Sequence, residues 1–274
     1  MNIEERVKCY LDRIEDIAYL ECVLDEVPLP DLFQSLLKLL ASSEYDDVAR
    51  ADFFIADVIC RANANNGDFK KQLVKAGIPT AYEQNVFAQN FQIRRLAIGS
   101  LRISSDWWSS TGLSDALTFL EQNDPILLPD ALRVQMQNTQ WKDWSWPNRL
   151  IGNPDFLVRW SVLGLLSECC VRFPLPNFGI LAETKTCLSK LQNDENAFVK
   201  IEADFLNATV SYYEIMPTLE KPEKRRRSKE MDKSAPKARF SDLWLRVVNE
   251  LIARRKTDFT PTELHELVGI LFKP

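Results

Sequence analysis

Apolar residues recur along this chain at spacings of three and four, the period of a helix with one buried face. The clearest case begins at Asn153. Phe156, Leu157, Trp160, Leu163, Gly164 and Cys170 form one stripe, and Val158, Val162, Leu165, Leu166 and Cys169 fill in behind it. Only Arg159, Ser161, Ser167 and Glu168 interrupt the apolar cylinder, so this helix is expected to be covered on both sides. Asn153 and Pro154 supply a cap and a first helical residue, and Pro174 and Pro176 supply a stop.

The same period marks helices elsewhere. Over residues 2–24, Ile3, Val7, Tyr10 and Ile14 oppose Glu4, Glu5, Asp12 and Glu15, which predicts an amphipathic end helix. Pro28 and Pro30 break the pattern, and Asp31 opens a helix carrying Phe33, Leu36 and Leu40. Ser43 and Asp46 precede another, which ends near Ala62 before the turn Asn63–Gly67. A short helix with Phe69 and Leu73 is closed by Gly77 and Pro79. Further helices are expected over 90–104, around Leu181–Leu191, and from Asp194 to about Ile215. Residues 105–152 are less regular and hold five tryptophans, at 107, 108, 141, 144 and 146. An irregular, tryptophan-rich insertion is expected there.

Four of these helices echo one another. Asp47-Val-Ala-Arg50, Phe91-Gln-Ile-Arg94, Phe156-Leu-Val-Arg159 and Phe198-Val-Lys200 each join an apolar residue to a base, and a mostly apolar run follows. The bases at 50, 94, 159 and 200 stand 44, 65 and 41 residues apart. Over about residues 30–215 this pattern resembles the HEAT/armadillo family of α-solenoids, whose helical pairs repeat every ~40–47 residues. The resemblance implies an all-α fold of stacked helical pairs and a curved surface for partners, with no catalytic site. The 65-residue gap fits one repeat plus the insertion.

Composition removes several chemistries. Eight glycines, no two closer than ten residues, leave no glycine-rich phosphate loop. Six cysteines without a C-x-x-C pair, and one histidine, leave no zinc-finger or zinc-ribbon spacing, so no metal or cofactor is expected. Adjacent Cys169 and Cys170 in an apolar helix read as small fillers, which suits a reducing, cytoplasmic setting. The start of the chain has no apolar core of signal-peptide type, and no run is long and apolar enough for a membrane span. His265, the one histidine, lies between Glu263 and Glu266 and reads as part of a solvated helix face.

Charge is uneven. Residues 221–239 hold nine bases and three acids, net +6, against a whole-chain net of −5. Met231 is their only large apolar side chain, which predicts a disordered basic linker over 218–239. The expected organisation is a helical-repeat domain over 1–217, that linker, and a C-terminal helical pair over 240–274.

Two functions fit. The first is a non-catalytic scaffold or adaptor that holds a protein partner through Trp141, Trp144, Trp146 and Arg149, with Arg94, Arg95 and Arg159 lining the repeat surface. Trp144, Trp146 and Arg149 are the expected exposed members. The second is a nucleic-acid-binding HEAT-like protein, related to DNA repair, whose Lys224, Arg225, Arg226, Arg227 and Lys229 contact phosphates. In a eukaryotic source the same bases read as a nuclear localisation signal.

Overall fold

The computed structural model describes residues 2–11, 17–61, 67–105, 108–109, 112–172, 178–215 and 220–234. These are all-α, with no strand among the described residues. The C-terminal pair expected over 240–274, with His265, lies outside them, as does Trp107. The chain divides into two compact units, Met1–Phe119 and Leu120–Pro274. The division falls inside the stretch expected as an insertion.

The first unit contains α1 (Ile3–Leu11), α2 (Ile17–Glu26), α3 (Leu29–Leu40), α4 (Tyr45–Arg61), α5 (Gly67–Ala76), α6 (Ile78–Asn85) and α7 (Phe91–Ser104). Of the helix expected over 2–24, α1 and the greater part of α2 are described, and residues 12–16 lie outside the described residues. Asn2 and Glu5 form a capping box at the start of α1, each side chain accepting the other's backbone N–H at 2.8 and 3.0 Å. Gly77 closes α5 at φ +88°, a conformation that only glycine adopts without strain. Pro79 then falls in the first turn of α6. In the packing, α3 meets α4, α6 meets α7, and each helix of the first pair also touches its counterpart, α3 on α6 and α4 on α7. Leu36, Leu40, Phe54, Ile93 and Leu101 are fully buried there.

α8 (Leu113–Asn123) spans the division. The second unit continues with a 3-10 turn (Pro125–Leu127), α9 (Leu128–Asn138), α10 (Ser145–Leu150), α11 (Phe156–Arg172), α12 (Phe178–Leu191), α13 (Ala197–Ile215) and α14 (Lys221–Ser234). α11 is the central helix. It packs on α9, α10, α12 and α13, and Trp160 meets Phe198 edge to face at 5.3 Å. Residues 105–152 are therefore mostly helical core rather than an irregular insertion. Pro125, Pro129 and Pro147 sit in first turns, where a helix needs no N–H.

The basic segment also differs from expectation. It forms α14 and packs on α13, and the Tyr212 hydroxyl donates to the Lys224 carbonyl at 3.4 Å. Its apolar content is too low for a core, but lysine, arginine and glutamate are good helix formers. Glu223 pairs with Arg226 at 2.6 Å and Arg227 at 3.5 Å, one turn on.

Candidate partner surface at the tryptophan corner

The corner is built at the end of α9. The Gln140 N–H donates to the Gln137 carbonyl at 2.9 Å and the Trp141 N–H to the Met136 carbonyl at 2.6 Å. This pair of bonds is a Schellman closure, which favours glycine at the position that Gln140 fills. Gln140 has φ +52° and Trp141 φ +61°, the two positive-φ non-glycine residues of the described chain. Left-handed backbone costs roughly 1–2 kcal/mol per ordinary residue.

That turn delivers Trp144 to the core. Its ring is 7% exposed, and its indole N–H donates to the Trp141 carbonyl at 3.2 Å. The Asp143 carboxylate accepts the Ser145 N–H at 2.9 Å at the start of α10, and the Ser145 hydroxyl, together with that N–H, lowers the pKa of Asp143. Trp146 is half-buried and Arg149 is exposed. The Arg149 guanidinium lies 4.3 Å from the Trp146 ring centroid. Its two terminal nitrogens hold both oxygens of Glu121, whose Oε1 also accepts from the Asn153 amide at 2.7 Å. Stacked, forked and backed by an amide, the guanidinium is fixed without being covered. Beside it, Lys190 reaches the Asn148 Oδ1 at 3.4 Å.

Of the residues singled out from sequence, the structure brings Trp141, Trp144, Trp146 and Arg149 into this one corner. Trp144 is a correction: it is buried and anchors the turn, rather than facing a partner. Trp141 is half-buried.

Arg159 is also corrected. It is buried, with its Nε and Nη2 on the Asp194 carboxylate at 2.6 and 2.8 Å. Its Nη1 donates to the carbonyls of Asn153 and Pro154 at 2.7 and 3.0 Å. Nothing of its fork is left for a partner. Arg94 repeats the motif in the first unit, with its Nη1 on the carbonyls of Ala88 and Gln89 at 2.6 and 2.7 Å. In both cases a base four residues into a helix reaches back five and six residues to the entering strand of backbone. Burial pulls the Arg94 guanidinium below the usual arginine range. Arg95, its neighbour, is exposed.

The echo extends to the caps. Asn90, Asp155 and Asn196 each precede their helix by one residue and accept an N–H two residues on, at 2.8, 2.9 and 3.0 Å. Asn153 and Asp194, expected as caps, stand two residues upstream of the ones that act. Arg50 departs from the pattern, bonding the Lys8 carbonyl and Asp46. Lys200 keeps the position in α13 and is exposed.

One polar cluster was missed from sequence. Asp52 on α4 accepts from the Tyr82 hydroxyl at 2.7 Å and from the Ser100 hydroxyl, tying α4 to α6 and α7. Burial raises the Asp52 pKa, and the two hydroxyls only partly offset this. The available signal was its place on the apolar stripe of α4, between Val48 and Ile55. Cys187 is buried and its thiol is pushed up to about 11, which makes it a poor nucleophile. Among the described residues, no group of three or more His, Cys, Asp or Glu side chains is placed to hold a metal ion. No described helix is long and apolar enough to cross a membrane.

Neither a protein-family model, nor a curated protein, nor a solved structure matches the chain.

Proposed function

We propose that the chain is a non-catalytic adaptor of HEAT/armadillo-like helical pairs that holds a protein partner at the tryptophan corner. The carrying observation is the Arg149 guanidinium stacked on Trp146 and fixed by Glu121 and Asn153. Arginine and tryptophan are the residue types richest in interface hot spots, and a side chain already held in place loses little entropy on binding. The strained turn at Gln140 and Trp141 supports the same corner, because strained backbone gathers at functional sites. Paired packing of α4 on α7 and of α11 on α13, the caps common to α7, α11 and α13, and the arginine latch common to α7 and α11 support the repeat architecture.

The test is peptide selection on the full chain, followed by affinity measurement on Trp146→Ala and Arg149→Ala. Selected peptides are expected to lose at least tenfold in affinity on either variant, with unchanged circular dichroism. Peptides that bind both variants as they bind the parent chain would remove the corner from the proposal.

A further inference from the structure

We infer that α14 is a nucleic-acid-binding helix that grips the phosphate backbone of a duplex by charge. This is independent of the tryptophan corner. The fourteen residues of α14 hold seven bases and three acids, net +4, so the rest of the chain is net −9. At 1.5 Å per residue the helix is about 21 Å long. A duplex presents about twelve phosphate charges over that length.

The helix is held from one side. It packs on α13, the Tyr212 hydroxyl meets its backbone at Lys224, and Glu223 and Lys224 are half-buried. Lys221, Arg226, Arg227 and Lys229 are exposed. The bases are thus offered from a fixed rod, not from a free tether. Glu223 has two effects on them. It orients Arg226 and Arg227 by accepting from one and standing 3.5 Å from the other, and it cancels one unit of their charge. The same contacts lower the Glu223 pKa, so it stays ionised at neutral pH.

The chemistry of α14 selects among polyanions. A helix that lies in a membrane surface buries an apolar face, and α14 has only Pro222 and Met231 to offer. Exposed ion pairs with an acidic protein return little. A duplex differs because each phosphate neutralised releases condensed counterions. Arg226 and Arg227, both exposed, supply forked donors that fit phosphate oxygens. Single strands are disfavoured because α14 carries no aromatic ring on which bases could stack. Binding of this kind reads no sequence.

The experiment is fluorescence anisotropy of a short labelled DNA duplex titrated with the full chain. With net +4, log K against log salt should have a slope of about −3.6, so affinity should fall about 150-fold from about 50 to about 200 mM salt. Glu223→Gln should tighten binding several-fold at the lower salt and steepen the slope by about 0.9. The triple variant Arg226→Gln, Arg227→Gln, Lys229→Gln should lose more than tenfold while its helical circular dichroism is unchanged. Arg226→Pro and Arg226→Gln remove the same charge, and proline in the second turn also breaks the helix. The proline variant should bind more weakly, and equal affinity of the two would overturn the fixed rod in favour of a tether. Trp146→Ala should bind the duplex as the parent chain does. The inference falls if no duplex binds at the lower salt, or if the triple variant binds normally. It also falls if vesicles of phosphatidylcholine and phosphatidylserine bind as tightly as DNA, since the helix would then serve a membrane surface.

Discussion

Arg149 and Arg159 each grip a carboxylate with two nitrogens, Arg149 on Glu121 and Arg159 on Asp194. The chemistry is the same and the surroundings are not. The side chains of the second pair are 8% and 4% exposed, and that arginine also caps two backbone carbonyls. The Arg149 side chain is 51% exposed, over the half-buried Trp146 ring, and its partner Glu121 is 13% exposed but also accepts from the Asn153 amide. Burial turns the Arg159 arrangement into a structural latch, because a carboxylate stripped of its partner there has no water to replace it. Exposure leaves the other with little weight in folding and with surface free for a partner. Asn153 joins the two: its amide donates to Glu121 and its carbonyl accepts from Arg159.

The largest expected effect breaks the buried side of the comparison. Arg159→Ala should cost about 3–5 kcal/mol, read by urea unfolding, because Asp194 is left buried and unpaired. Arg159→Lys should recover only part of this, since a single ammonium cannot replace the fork. A loss below about 1 kcal/mol for Arg159→Ala would make the two pairs equivalent and end the distinction.

Next in size is the strained turn that leads to the exposed pair. Gln140→Gly should raise stability by about 1 kcal/mol, because glycine takes φ +52° freely. If the strain positions Trp146 and Arg149, the same variant should lose affinity for selected peptides while it gains stability.

Asp52 sharpens the comparison as a carboxylate tied by hydroxyls instead of a cation. Its pKa is raised, so between the ordinary carboxylate value and the raised one the folded state holds the extra proton. Stability relative to Asp52→Asn should therefore rise as pH falls through that window. At pH 7 the asparagine variant should be the more stable by on the order of 1 kcal/mol, and the gap should close on acidification. Unfolding of both proteins across pH reads this directly, and a gap that widens in acid would reverse the assignment.

The smallest stability effect belongs to the exposed pair. Arg149→Ala should cost less than about 1 kcal/mol, and the Arg149–Glu121 coupling from a double-mutant cycle should fall in the same range. Its effect is expected in binding instead.

Spacing in the sequence was enough to determine the helical class and most of the helices, because a period of three and four on apolar residues leaves a chain little else to form. It also gave the echoed base in α4, α7, α11 and α13, and Gly77 as a helix stop. It did not show what the bases do. The echoed pattern puts Arg94 and Arg159 on the repeat surface, whereas their partners are backbone carbonyls and, for Arg159, an aspartate that no local pattern marks. Trp144 and Trp146, two residues apart, were indistinguishable in sequence, and only the left-handed turn at Gln140 sends one inward and leaves the other under Arg149. The basic run looked unfolded by composition until α13 gave it a face to pack on. Periodicity is a local property that the chain carries with it, whereas burial depends on which other segment arrives, and here burial separates a latch from a binding surface.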